Sequence, residues 1–560
     1  MVNSTDDPAL ARNAAFAPAK FLAQLNPWTI ATICIVAMLI APIVAVFIAA
    51  TGDSGGLWAH LFETVLPRYI ANSLVLMIGV GLVTLTFGIS SAWVVTIYEF
   101  PGRPYVEWML LLPAAIPAYL VAYTYTDFLE YAGPVQGALR DLFGWQSARD
   151  YWFPEIRSMG GAMLVIGAVL YPYVYMMART AFLLTPGSLF ETAKASGRNI
   201  FWAVGLPLAR PAIVAGLALV LMETLSDFGT VEYFAIETLT LGIFNVWLGM
   251  NSLPAAAEIA IIAFLFIITL LVIERVARAN RRYTNTSKRS VPLPPERTNG
   301  WGAVACLAVC LVPIFVGFVL PVGVLLNFVI SGHSVGFSEA VVSAAFNSVT
   351  IALSAAFLVM SIATFMALTA TYQAGPAMQR ATAFASIGYA FPGTILAIGV
   401  VTAGGALDNA IAAIYQAAFG ITHTGWLSGS IGLVVIACVV RFQAIGYGAM
   451  TSGLERLPPN LIHASRTLGT TFGGTVRMVI LPLIQKSFIA GGLLVFVDVM
   501  KELPMTLLLR PFNFETLATY VYQFAKDELL EEAALPALLI VVAGIPPIII
   551  MNAALRRLLR

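Results

Sequence analysis

Charge is scarce in this chain: Asp, Glu, Lys and Arg make up only 11% of its 560 residues, against 59% hydrophobic. That little charge cannot solvate the surface of a water-soluble protein of this length. The formal net charge of +1 says little about partners, and no nucleic-acid partner is expected. No lysine follows a glycine anywhere, which excludes a phosphate-binding loop of the G-x-x-x-x-G-K-[ST] type. The chain is therefore not expected to be an enzyme that hydrolyses ATP, nor to bind a cofactor itself. Cysteine is rare too, and Cys34, Cys306, Cys310 and Cys438 all fall inside apolar runs. Cys306 and Cys310 share a helical face, but with no His or acidic pair beside them, packing is the expectation rather than a metal site. His60, His333 and His423 lie far apart in or near connecting segments, where solvated side chains are the ordinary case.

What the chain has instead is a series of apolar runs near 20 residues long, enough to cross about 30 Å of hydrocarbon as a helix. Twelve spans are expected, at 28 to 50, 70 to 98, 105 to 129, 160 to 183, 211 to 235, 254 to 275, 301 to 330, 345 to 371, 381 to 405, 428 to 451, 487 to 510 and 534 to 555. The first follows a polar tail with Asp6, Asp7, Arg12 and Lys20, and reads as an anchor rather than a cleaved signal. Pro113, Pro117 and Pro392 are expected to bend spans, and Trp145, Trp152 and Trp426 to anchor at the membrane interface. The fold class expected is an all-α polytopic membrane protein.

Orientation follows from the basic residues. With the N-terminus in the cytoplasm, 22 of the 30 Lys and Arg fall on that side, seven of them in Arg275 to Arg297. Acidic clusters such as Asp527 to Glu532 fall on the other. Both termini are thus expected in the cytoplasm.

The chain repeats itself. Asn72-Ser73 matches Asn347-Ser348, Ile116-Pro117 matches Phe391-Pro392, and Pro207 matches Pro482, all at an offset of 275. Pro186, Glu191 and Gly197 match Pro458, His463 and Gly469 at 272, so the first copy is three residues shorter between its Gly and its Leu-Pro. The spacing predicts a duplicated six-span unit: a tail at 1–27, a first half at 28–275 (core 70–275), a basic linker at 276–300 and a second half at 301–556 (core 345–555). Both copies enter from the same side, so the halves are related by a pseudo-twofold axis along the membrane normal, with a pathway between them.

Two constellations stand out against this background. The first is the repeated polar segment ETAKASGRNIFWAVGLPLARP (Glu191 to Pro211) and HASRTLGTTFGGTVRMVILPLIQKS (His463 to Ser487). Proline stops the preceding helix, a short helix follows, Gly197 or Gly469 turns the backbone, and Leu-Pro starts the next span in its first turn. The second is a pair of acids at i, i+4 in each copy, Glu223 and Asp227, then Asp498 and Glu502, expected on one face of the helix after each loop. An ionisable group within the membrane is costly unless paired or wetted. Two readings stay open: the acids line or gate a pathway, or they lock helices together by pairing with Lys501, Arg510 or Arg441. Whether they hold a metal is unknown.

The loop spacing Glu191-x-Ala193-x3-Gly197, and its fuller form Ala464-x4-Gly469 closing on Leu481-Pro482, resembles the EAA loop of ABC importer permeases. METLSDFGTVEYF (Met222 to Phe234), FVDVMKELPMTLLLRPFNFETLA (Phe496 to Ala518) and ALPALLI (Ala534 to Ile540) are similar to the fused permease of ferric iron importers, a type I ABC importer permease. The resemblance covers nearly all of the chain from about residue 60, departing from the motif where His463 replaces its acidic residue. It implies that Glu191, Ala193, Gly197, Pro207, His463, Ala464, Gly469 and Pro482 meet a cytoplasmic dimer of ATPase subunits, which use ATP and Mg. It also implies a periplasmic substrate-binding protein, a bacterial inner-membrane location and ferric iron as substrate. A permease for thiamine, a polyamine or another small solute remains an alternative, as does an ion-coupled secondary transporter.

Overall fold

The computed structural model describes residues 26–279, 294–373, 375–420, 425–458 and 460–558. Most of the expected tail, the middle of the linker and His423 lie outside the described residues. Among them the only β structure is a parallel pairing of β1 (Tyr98–Glu99) with β2 (Glu296–Arg297), which brings the end of the linker back to the first half.

The helices that organise the molecule come in two runs of nine. The first run is α1 (Pro27–Ala49), α2 (Leu66–Ile97), α3 (Ala118–Leu129), α4 (Met159–Leu184), α5 (Gly187–Ala195), α6 (Leu206–Ser226), α7 (Gly229–Tyr233), α8 (Leu239–Phe244) and α9 (Leu253–Ala279). The second is α10 (Trp301–Ile314), α11 (Glu339–Tyr372), α12 (Gly393–Phe419), α13 (Ile431–Glu455), α14 (Asn460–Thr467), α15 (Leu481–Met500), α16 (Pro504–Leu509), α17 (Leu517–Lys526) and α18 (Ala534–Leu558). The starts are written in the sequence. Asn26 accepts a hydrogen bond from the Thr29 amide ahead of Pro27, and Ser158, Ser338 and Ser430 cap α4, α11 and α13 in the same way.

Ten helices among the described residues are long and apolar enough to cross a membrane, and an eleventh span arises if a pair bent by 92°, Arg103–Ala115 with Ala118–Phe143, is counted as one. The expected twelfth span falls on α18, whose apolar stretch Ala534–Ile550 is shorter than the rest. Several boundaries differ from expectation for one physical reason. The residue before proline disfavours the helical conformation, and proline brings no amide to a helix. The expected spans at 105 to 129 and 381 to 405 are therefore broken outright at Ile116-Pro117 and Phe391-Pro392, each behind a short 3-10 turn. Pro117 and Pro392 are extended, with ψ of 141° and 140°. The spans expected at 211 to 235 and 487 to 510 start earlier, at Phe201 and Phe472, and stop at Ser226 and Met500.

The anchors of the repeat carry matching contacts. Asn72 donates to the Glu237 carbonyl and Asn347 to the Glu515 carbonyl, both at 2.9 Å. Ser73 accepts from the Leu239 amide at 3.0 Å and Ser348 from the Leu517 amide at 2.7 Å, so each Asn-Ser pair holds the start of the short helix α8 or α17. Opposite faces of the same helices carry Ile78 and Leu82, Leu353 and Phe357, all more than half exposed. Such a surface suits hydrocarbon rather than water.

The sequence halves are not separate bodies. Trp28 of α1 stacks on Phe365 of α11 with ring centroids 5.0 Å apart, and Val46 packs in one cluster with Ile395 and Ile398 of α12. Reciprocally, Cys306, Cys310 and Ile314 of α10 pack with Ala92, Tyr171 and Tyr175 of the first half, which gives both cysteines the packing role expected of them. Each half thus lends its first helix to the other.

Ser73→Ala and Ser348→Ala each strand a buried backbone amide, at a cost of about 1–3 kcal/mol. Each should lower the apparent Tm in detergent and speed amide exchange at Leu239 or Leu517 respectively, leaving the other site protected.

Candidate functional site

Four helix breaks meet around one cavity of about 120 Å³. Its lining comes from the break at Ile116-Pro117, from Tyr389 ahead of Pro392, and from the ends of α6 and α15, with Tyr173 of α4 and Arg441 of α13 closing the sides. All four acids read from the sequence, Glu223, Asp227, Asp498 and Glu502, line it. Discontinuous helices are how membrane proteins bring backbone and polar side chains to mid-depth, because irregular backbone survives there only beside a cavity.

The acids are not arranged as the i, i+4 spacing predicts. Only Glu223 and Asp498 lie on helices; Asp227 and Glu502 sit just past the ends of α6 and α15. Asp227 accepts from the amides of Thr230 (3.0 Å) and Val231 (3.2 Å) and from the Thr230 hydroxyl (3.1 Å). Glu502 accepts from the Met505 amide at 3.1 Å. Each acid therefore caps the short helix that follows, and the chain unwinds to allow it.

The second half adds two cations. Arg441 donates to Glu502 at 3.2 Å, and the pair is almost wholly buried. Lys501 Nζ lies 2.8 Å from Asp498. Pairing and cavity lining, left open by the sequence, thus coexist. Arg510 pairs instead with Glu515, away from the cavity. The ion pair also explains Gly393: a Cβ there would stand 2.4 Å from Arg441 Nη1 and 2.9 Å from Glu502 Oε1. The aromatic and basic lining, Tyr119, Tyr173, Tyr389, Arg441 and Lys501, was not singled out from sequence as a site. The only signal for it was Arg441 within an apolar run and Lys501 between two acids. Among the described residues no three His, Cys, Asp or Glu side chains converge as a metal site. Neither His60 nor His333 lines the cavity.

The repeated loops lie at the other end of α6 and α15. Gly197 and Gly469 have φ of +67° and +84°, the left-handed conformation that costs glycine least. The Gly197 amide bonds the Lys194 carbonyl and the Arg198 amide the Ala193 carbonyl, both at 3.0 Å, which completes a Schellman ending. Thr470 repeats the longer bond to Ser465 at 3.3 Å. Ala193, with Gly187 and Phe190, is buried in the first short helix and Ser465 in the second, while Glu191, Thr192 and Ala464 are exposed. The side chain of His463 lies outside the described residues.

The missing three residues are also placed. Asn199 accepts from the Phe201 amide (2.9 Å) and Thr471 from the Gly474 amide (3.2 Å), so the two loops are in register through their caps. The second copy then makes an extra turn, Phe472–Thr475, before both enter a π-helical turn, Phe201–Gly205 and Val476–Ile480. Leu-Pro comes after that turn, so Pro207 and Pro482 lie inside the span and not in its first turn. The wide turn makes room for a proline ring and a missing amide. Beside the first loop, Lys194 meets Glu296 of β2 at 2.5 Å, and this hydrogen bond raises the lysine pKa.

Long apolar helices broken in pairs around a charged cavity, with matching turns at one end, define an all-α, multi-pass membrane transport protein. No family model matches the chain. It is 24% identical over 507 residues to the Fe(3+)-transport system permease protein FbpB 2 of Haemophilus influenzae, covering 89% of this chain and 92% of that one. It is 22% identical over 519 residues to the ferric transport system permease protein FbpB of Actinobacillus pleuropneumoniae, covering 87% and 72%. The sulfate transport system permease protein CysW of Escherichia coli K12 is 28% identical over 252 residues, only 42% of this chain but 80% of its own length. Over most of its length the chain is thus similar to permease proteins of ferric transport systems.

Arg441→Leu alone should lower the apparent Tm sharply, because an unpaired buried carboxylate costs about 3–5 kcal/mol. Adding Glu502→Leu should restore most of the loss, and Gly393→Ala should reproduce part of it; thermal unfolding in detergent measures all three.

Proposed function

We propose that this chain forms the whole membrane pathway of an ATP-driven importer for ferric iron in a bacterial inner membrane. Residues 28–275 and 301–556 act as its two halves, with both termini in the cytoplasm. A periplasmic binding protein delivers the metal to the acidic end. A separate dimer of ATPase subunits, using ATP and Mg, docks on α5 and α14, and its closure rocks one half against the other. Glu223, Asp227, Asp498 and Glu502 face the metal on its way through.

The observation that carries this reading is the pairing of features at both ends of α6 and α15. Each helix connects a left-handed glycine turn at one end to a cavity carboxylate at the other, so a push on the loop is delivered to the cavity by a rigid rod. Exposed apolar side chains beside the loops, among them Leu189, Trp202, Leu468 and Met478, give a partner something to bury. The absence of a Gly-Lys dipeptide agrees with a separate motor. As to the solute, the cavity lining has two more carboxylates than cations, which suits a cation and argues against an anion such as the sulfate named for one relative.

A tag on this chain should copurify an ATP-binding subunit, and cells carrying the system should take up radioactive ferric iron. Gly197→Val and Gly469→Val force a β-branched residue into φ > 0, at about 1–2 kcal/mol each. Both should leave the protein inserted but cut uptake at least severalfold while ATP hydrolysis continues. Asp227→Asn combined with Glu502→Gln should abolish most uptake. Accumulation of iron in vesicles that lack the ATP-binding subunit, driven by an ion gradient alone, would overturn the proposal.

A further inference from the structure

The four cavity acids obey the repeat and the two cations break it. At the offset of 275, Lys501 stands where the first half has Ser226; at 272, Arg441 stands where it has Val169. Arg441 is committed, buried against Glu502. Lys501 is not. Its side chain is 26% exposed, its ammonium touches Asp498 of its own half, and its electrostatic partners extend to Glu223 of the other half and to Tyr173. Tyr119, 5% exposed and lining the same cavity, has a hydroxyl with no hydrogen-bond partner, so the lining is not yet fully satisfied.

A lysine at the end of a helix three residues after an aspartate has an ordinary explanation, since both the helix dipole and the neighbouring acid favour it. That explanation accounts for Asp498. It does not account for an ammonium in a cavity that Glu223, an acid of the opposite half, also lines.

We propose that Lys501 is a tethered counter-cation that fills the cation seat between Asp498 and Glu223, and that cargo must displace it to pass. This rests on reading the cavity as the pathway. The consequence is selection by charge. A monovalent ion gains nothing over an ammonium already in place, whereas a multivalent cation binds both carboxylates more strongly than one positive charge can. The lysine thus seals the pathway against sodium and potassium while leaving it open to a metal of higher charge. Ser226, at the matching place in the first half, brings no second ammonium to Glu223.

The test uses terbium(III), a trivalent ion whose luminescence is sensitised by nearby tyrosines, with the full chain in nanodiscs. The cavity signal is the part removed by Glu223→Gln. Lys501→Met should tighten cavity affinity at least about tenfold, and Lys501→Arg should leave it near wild type. Ser226→Lys, which adds a second ammonium on the opposite side, should weaken it by a similar factor. In liposomes, Lys501→Met should also admit potassium that wild type excludes. Terbium affinity unchanged or weaker in Lys501→Met, or unchanged in Ser226→Lys, overturns the role of the lysine, even if iron uptake by the wild-type system is normal. Failure of the ferric reading looks different: the wild-type system takes up no iron while the terbium shifts persist.

Discussion

A carboxylate inside a membrane has to be met by a hydrogen-bond donor or an opposite charge, and the centre of this molecule is shaped by that requirement. Asp227 and Glu502 take backbone amides, which are free only where a helix begins. A helix has to end just before each of them so that another can start just after. Those breaks, with the two at Ile116-Pro117 and Phe391-Pro392, open the space that the cavity occupies. After α15 Pro504 reinforces the break, whereas after α6 no proline does, and there Asp227 and its bonds to Thr230 and Val231 mark where the helix stops.

Much of this was legible in the sequence. Apolar run length showed a multi-pass helical protein, and the constant offsets showed the repeat, because Asn-Ser, Leu-Pro and the acids each perform a local task whose chemistry tolerates few substitutes. The Asn-Ser contacts to the starts of α8 and α17 illustrate this: the pair puts a short amide donor and a hydroxyl acceptor in adjacent positions. What could not be read was where helices break. The i, i+4 spacing of the acids is equally at home on a continuous helix, and only the tertiary competition for donors decides against it. The placement of Leu-Pro was misleading for a related reason. Proline is favoured at a helix start, but a π turn lets it sit further in, and that turn leaves no composition signature.

Which cation meets which acid was also invisible. The cavity cations come from α13 and the end of α15, and the sequence, which offered Lys501, Arg510 and Arg441 alike as partners, could not assign Arg441 to Glu502 or Lys501 to Asp498. The same holds for the three-residue difference between the loops. Read as a string it suggests unequal loops, yet the caps Asn199 and Thr471 show the turns to be equivalent, with the extra residues spent on one more turn of helix. The asymmetry therefore lies in the length of the rod and not in the shape of its handle.

The exchange of first helices has a bearing on how the protein is made. α1 is translated well before its neighbours on α11 and α12, whereas the first-half neighbours of α10 are already made when it emerges. Until α11 and α12 follow, the face of α1 that Phe365, Ile395 and Ile398 will cover is left to lipid, and the helix is apolar enough to bear it. Biogenesis thus treats the two exchanged helices differently: α1 waits for the half that receives it, and α10 arrives to find its seat already formed.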